Sequence, residues 1–488
     1  MKSLISRALA KYDDLPVTAK AALWFTVAGI VHKSMSMITM PIFTRMLTTE
    51  QYGLYSLYMS WLQVFTILTT LRVTYAVFNK GMSKYPRDRD AFTATMQSLT
   101  TLLTLGLFLV YLLVHEWVDA FTGLTMFLTV AMFLELLLSP AIDLWSARER
   151  YRYRYQPIVI VAVLMTVANA AIGVVAVLLS EDGGAARILS HVAVQVAVGI
   201  YFYLRNLSRG QRPLVREYAK YAVLFNLPLI PHYLSMYALD QMDRIMVARM
   251  IGLSAAALYA VAYNIALVIK MVTNSLTSAI TPWLYGRLEK EDFGTIEHRM
   301  YPILAFAGVL ALAFAAVAPE MVAVLGGAKY VEAIHVIPPV AVSVVFLFAY
   351  SLFANVQFFY EANKFIMYVS VMGALLNFGL NYVLIQRYGY LAAAYTTLLC
   401  YALFAVAHYW YMAHVVRRNA GGGSLFGGGA LAAGGAALLA AMAVVILTYG
   451  YPMARYAALL AGVGVAVLKR EQLKAIFGAL PCELTFVD

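Results

Sequence analysis

Arg148-Glu149-Arg150-Tyr151-Arg152-Tyr153-Arg154 leads through Tyr155-Gln156-Pro157 into Ile158-Val159-Ile160-Val161-Ala162-Val163-Leu164-Met165-Thr166-Val167-Ala168-Asn169-Ala170-Ala171-Ile172-Gly173-Val174-Val175-Ala176-Val177-Leu178-Leu179. An uncharged run of that length crosses a hydrocarbon layer of roughly 30 Å as a helix. Lipid cannot hydrogen-bond backbone amides, so the crossing has to be helical. The Arg/Tyr alternation ahead of it reads first as a stop-transfer patch with interfacial tyrosines, and second as a surface for lipid phosphates.

The same pattern extends in both directions. Apolar windows fall near 20–43, 53–78, 93–114, 119–142, 157–180 and 187–207, then near 221–243, 254–285, 301–325, 332–360, 365–386 and 389–413, with two small-residue windows near 428–449 and 452–468. With 62% hydrophobic and 12% charged residues among 488, a water-soluble fold would lack polar surface. The chain therefore reads as an all-α polytopic membrane protein with about 14 transmembrane helices. It divides into a six-helix lobe over 1–210, a second over 211–415, a Gly-rich linker over 416–427, a helix pair over 428–468 and a tail over 469–488.

With the N-terminus inside, the loops on that side hold roughly 26 of the 36 Lys and Arg, against roughly 7 outside. Both termini are then cytoplasmic. The densest inside stretches are Lys80 to Arg89, Arg148 to Arg154 and Arg205 to Lys220. A net charge of +11 set in short loops argues for topology and against nucleic-acid binding. The first apolar run, from Ala21, is long enough to span uncut, so no cleavable leader is expected. Cys400 and Cys482 offer neither a disulfide framework nor a metal-ligand cluster.

An internal repeat is visible. Thr44-Arg45-Met46-Leu47 and Ala248-Arg249-Met250-Ile251 share an offset of 249 − 45 = 204, and Gly53-Leu54-Tyr55-Ser56 falls on Ala257-Leu258-Tyr259-Ala260 at the same offset. Six spans per half give two pseudo-symmetric lobes of like orientation around a central cleft, the geometry of alternating access.

On these residues the sequence resembles the polysaccharide flippases (Wzx-type) of the multidrug/oligosaccharidyl-lipid/polysaccharide exporter superfamily. The motifs are Pro41-Ile42-Phe43-Thr44-Arg45-Met46-Leu47 with Gly53-Leu54-Tyr55-Ser56, Asp243-Arg244-Ile245 with Leu258-Tyr259-Ala260-Val261-Ala262-Tyr263, and Pro282-Trp283-Leu284-Tyr285. The resemblance covers about residues 20–415. It implies two six-helix lobes, often with an extra helix pair, in the cell inner membrane. It also implies export of a polyprenyl-diphosphate-linked glycan, for which polysaccharide polymerase and assembly proteins are the expected partners. Arg72 departs from the family pattern, in which a small residue commonly stands nearby.

Ionisable groups at mid-bilayer cost several kcal/mol and ask for a reason. Lys33 and Lys270 fall in mid-span and Arg72 in the cytoplasmic half of the second, with Glu135 as the single deep carboxylate and Asp143, Asp240 and Asp243 nearer the ends. The three cations are the candidate diphosphate-binding residues. Against that stand a Lys33–Glu135 ion pair, an Arg72 snorkelling to the surface and a Lys270 bonded to nearby carbonyls. Arg45, Arg249, Glu135, Asp243 and Arg244 are candidate gate or coupling residues, although the adjacent Asp243-Arg244 reads first as two separate packing contacts. No catalytic residue, metal or cofactor is expected, and coupling is left between protons and sodium, with His32, Glu135 and His232 as titrating candidates. A cation-coupled drug exporter would place carboxylates in the first span, which holds His32 and Lys33 instead. A membrane glycosyltransferase or polymerase would show a sizeable external loop, and every loop here is short. A purely structural scaffold is disfavoured by the buried charges.

Overall fold

The computed structural model describes residues 39–468 other than 75, 153, 211 and 420–424. Lys33, His32, Cys482, the glycines at 421–423 and the tail from 469 lie outside the described residues. Among the described residues the regular structure is helical, with no strand. A helical stretch over 39–46 precedes α1 (Thr49–Thr70), α2 (Ala76–Lys84), α3 (Arg89–Thr122), α4 (Met126–Tyr151), α5 (Tyr155–Leu179), α6 (Gly183–Gly210) and α7 (Arg216–Asn226). Then follow α8 (Ile230–Met250), α9 (Leu253–Leu288), α10 (Phe293–Ala316), α11 (Ala318–Leu325), α12 (Ile337–Phe359), α13 (Asn363–Tyr388), α14 (Leu391–Asn419), α15 (Gly428–Leu447) and α16 (Pro452–Leu468). Eleven helical segments among the described residues are long and apolar enough to span a bilayer. Of the other three expected spans, the first lies mostly outside the described residues, the second is α1, and the last is α16 at 17 residues. The chain is an all-α, multi-pass membrane protein.

Several boundaries differ from the sequence reading. The expected break at 115–118 is interior to α3, which bends at Val114 (φ −127°, ψ 23°) and ends only at Gly123, whose φ of 73° suits glycine. The second span does not run to 78: Leu71 and Arg72 take φ of 46° and 54°, breaking the chain between α1 and α2. Threonines prepare that break, since Thr66, Thr69 and Thr70 return their hydroxyls to the carbonyls of Leu62, Phe65 and Thr66. Pro228 sits in a 3-10 turn, Leu227–Leu229, between α7 and α8, as proline's missing donor predicts. Pro338 and Pro339 instead start α12, where that donor is not needed. The 254–285 run is a single helix, α9.

The chain forms two compact units, Met1–Tyr237 and Ala238–Asp488, dividing inside α8 rather than at residue 210. In the first, α6 packs against α1, α3, α4 and α5, and Trp145 of α4 stacks on Phe202 of α6 with centroids 4.2 Å apart. In the second, α12 packs against α9, α10 and α14. The appended pair belongs to this unit: α15 lies on α10 and α12, Tyr449 donates to Ala315 O at 2.7 Å, and Arg455 of α16 pairs with Glu320. The repeat extends beyond the motifs, because α9 starts 253 − 49 = 204 residues after α1 and α10 starts 293 − 89 = 204 after α3.

Lipid gives helices no solvent-driven reason to associate, so close van der Waals approach has to hold them. Gly199 of α6 is such a contact, since a Cβ there would lie 2.9 Å from both Cβ and O of Leu138 on α4. Gly199→Ala should lower the melting temperature of the detergent-solubilised protein, through an overpacking cost of about 1–3 kcal/mol. Gly106→Ala, where nothing lies within 4 Å, should not lower it. Equal melting of the two variants would contradict this account of the α4–α6 crossing.

Candidate functional site

In the first unit, Arg72 occupies the left-handed break rather than a helix, and that backbone is what frees it from the helical ladder. Its Nη1 donates to Tyr237 Oη at 3.0 Å, and its Cζ lies 5.2 Å and 5.7 Å from the ring centroids of Tyr237 and Tyr233, one turn apart on α8. Aromatic faces stabilise a guanidinium by about 0.5–2 kcal/mol while leaving its edge donors usable.

Glu135, 2% exposed on α4, was the alternative partner for Lys33, which lies outside the described residues. Here Glu135 accepts from Tyr58 Oη at 3.1 Å, and its Oε1 lies 3.2 Å from Nε2 of His191 on α6. Nδ1 of the same imidazole is 3.2 Å from Asn169 Oδ1 on α5, an oxygen that also receives Arg187 Nη1 at 3.4 Å. Both ring nitrogens of His191 thus lie within hydrogen-bond reach of side-chain oxygens, and which of them donates is set by the tautomer. Arg187 completes the cluster, with its Cζ 4.1 Å from the Phe43 ring centroid and 4.8 Å from that of Tyr55.

His191 and Arg187 were missed in the sequence because each lies near a span end. The available signal was spacing: Arg187, Ser190, His191 and Val194 recur at three and four residues on the buried face of α6.

In the second unit, Lys270 of α9 is not held by neighbouring carbonyls. Its Nζ lies 2.7 Å from Asp240 Oδ1 on α8, with side chains 23% and 37% exposed. The deep interior is thus less cationic than the sequence reading suggested. Asp243 is no end-of-helix group either, being 1% exposed and accepting from Tyr259 Oη at 2.7 Å, Asn381 Nδ2 at 2.6 Å and Thr397 Oγ1 at 2.5 Å. Arg244 reaches other groups, Gln241 Oε1 at 2.9 Å and Asn264 Oδ1 at 3.3 Å, with the Tyr263 centroid 4.6 Å from its Cζ. Asp243 and Arg244 thus bond separate partners. Arg45 and Arg249 are exposed, Arg45 donating to Pro41 O at 2.9 Å.

These environments separate structure from availability. Asp243→Ala would strand three buried donors at about 1–3 kcal/mol each. It should therefore fail to give folded protein, whereas Asp240→Asn, at a part-exposed pair, should fold with a smaller drop in melting temperature. Folded Asp243→Ala at wild-type yield would show that this network is dispensable.

The sequence profile of a family described as "Polysaccharide biosynthesis protein" matches residues 18–286. The Lsg locus putative protein 1 of Haemophilus influenzae is 21% identical over 367 residues, covering 73% of this chain and 88% of that one. Among solved structures, the fold is similar to the lipid II flippase MurJ in an inward closed conformation, with a TM-score of 0.67 at 9% identity over 92% of this chain and 100% of that chain. It is also similar to an inward-facing multidrug resistance MATE family transporter of the MOP superfamily, with a TM-score of 0.60 at 13% identity over 80% and 96%.

Proposed function

The chain belongs to the polysaccharide biosynthesis protein family, and from that premise we propose that it is a flippase for a polyprenyl-diphosphate-linked oligosaccharide. It carries this substrate from the cytoplasmic to the outer leaflet of the cell inner membrane by alternating access, with both termini cytoplasmic, and hands it to polymerase and assembly proteins. The family match over residues 18–286 carries the reading, and a fold shared with a lipid II flippase supports a lipid substrate.

The proposed roles follow from the chemistry of each group. Arg72, seated on two tyrosine rings, is assigned to a phosphate oxygen, for which a guanidinium is a charge-assisted donor. Lys270 is held by Asp240 until a diphosphate competes for it. Lys33 is proposed as a third cation. Coupling is assigned to the Glu135–His191 contact, which joins a buried carboxylate to an imidazole at 3.2 Å. Asp240 engages Lys270 and Asp243 accepts three hydrogen bonds, an arrangement that favours an anionic cargo over a cationic drug.

Reconstituted vesicles with a labelled lipid-diphosphate sugar test the reading. Wild-type protein should move the label to the far leaflet, and Arg72→Ala and Lys270→Ala should slow it at least tenfold, with Lys270→Arg intermediate. Wild-type rates from both alanine variants would remove these residues from the binding role, and absence of movement by the wild type would remove the flippase reading. Glu135→Gln should flatten the response of the rate to an imposed pH gradient. An unchanged response would place the coupling elsewhere.

A further inference from the structure

Three basic stretches far apart in the sequence meet in the first unit around one surface pocket of about 350 Å³. Arg87 and Arg89 come from the α2–α3 turn and the start of α3, Arg152 from the end of α4, and Arg209 from the end of α6. Asp88 and Asp90 also line it, and both are engaged. Asp88 Oδ2 accepts from Tyr218 Oη at 3.0 Å, and Asp90 Oδ1 lies 3.1 Å from Arg148 Nη1 and 3.6 Å from Arg152 Nη2.

Arg148 is the informative member. It was expected in an aqueous loop, yet α4 continues through it and leaves its side chain 1% exposed. Behind Asp90, it makes no aligned hydrogen bond with any of its three nitrogens among the described residues, although Glu149 Oε1 lies 3.9 Å away. A buried guanidinium so poorly satisfied is costly, and its charge reaches the pocket through low-dielectric protein rather than water. Five arginines thus face three carboxylates.

The N-terminus of the 34-residue α3 adds to the field. Residues 86–91 line the pocket, and the N-cap Asp88 makes no side-chain bond to the first-turn amides. Helix amides and dipole there favour an anion. Cation–π contact of Arg89 with Tyr151, at 5.0 Å, and the tyrosine pair Tyr85–Tyr218, with centroids 4.4 Å apart, brace the wall.

We propose that this pocket is a phosphate-binding site, separate from the cations assigned to transport. Its ligand is a phosphate group, borne either by an anionic lipid headgroup at the membrane surface or by a soluble phosphate compound. The shared requirement is two or more anionic oxygens within reach of Arg152, Arg209 and the first turn of α3. The proposal uses binding alone and does not depend on the substrate assigned above.

The full-length protein tests it with two probes: inorganic pyrophosphate titrated in detergent, and phosphatidic acid against phosphatidylcholine in nanodiscs, each read by binding and by thermal shift. At least one probe should bind and raise the melting temperature, and binding should weaken with salt. Pyrophosphate alone would identify a soluble ligand, and phosphatidic acid alone or together with pyrophosphate a headgroup site. Arg152→Gln/Arg209→Gln should bind at least tenfold more weakly, and the exposed Arg87→Gln, which does not threaten folding, about threefold more weakly. Lys290→Gln, at an exposed lysine outside both the pocket and the transport cations, should bind as the wild type does. If neither probe binds the wild type, or if folded double and Arg87 variants bind both probes unchanged, the proposal is overturned.

Discussion

A charge placed at the centre of a membrane helix costs about 2.5–3.5 kcal/mol on insertion scales, and that cost determines how this protein surrounds its ionisable groups. The two kinds of cation meet it differently. Lys270, a compact ammonium with three donors, stands against a carboxylate. The guanidiniums of Arg72, Arg187 and Arg244 lie over tyrosine or phenylalanine rings and spread their donors among hydroxyls and amides. A ring face offsets charge without consuming donors, so the fold tolerates these arginines while their donors bond hydroxyls and amides.

The same constraint acts on the backbone. Irregular chain inside a membrane protein survives only where protein covers it or water reaches it. The first unit concentrates its interruptions around one residue: the left-handed pair Leu71-Arg72 ends α1, and the 3-10 turn Leu227–Leu229 precedes the helix that supplies Tyr233 and Tyr237. Two non-glycine residues at positive φ cost of order 1–3 kcal/mol each. Val73, Val77 and Phe78, fully buried directly after the break, supply packing that offsets this cost.

What was legible in the sequence follows from which forces act locally. Apolar runs locate spans because hydrocarbon thickness is a fixed length, and α5 falls almost where its run predicts. The α3–α4 boundary was misplaced because His115-Glu116 looks like a loop, whereas an end-of-span helix tolerates polar residues until Gly123 supplies a left-handed cap. Partners were less legible than positions. Asp240 sits 30 residues from Lys270, and the Glu135–His191–Asn169 cluster joins three helices, so no local pattern encodes either. The basic loops were read as topology because composition alone cannot show that three of them line one pocket.

The internal repeat separates what folding asks for from what it does not. Helix starts obey the 204-residue offset at α1 with α9 and at α3 with α10, and so do the Leu-Tyr pairs at 54–55 and 258–259. The charges do not. At that offset Lys270 corresponds to Thr66, Arg72 to Leu276 and Glu135 to Pro339. Each counterpart serves its own helix in an ordinary way: Thr66 bonds the Leu62 carbonyl at 2.6 Å, Leu276 packs on the second unit's core, and Pro339 opens α12. A related helix arrangement is therefore built in the other unit without a charge at any of these three positions. Since burying a charge costs more than burying threonine or leucine, stability alone would not select Lys270, Arg72 or Glu135. Their asymmetry instead suits the role proposed above, in which these groups meet one asymmetric, amphipathic substrate.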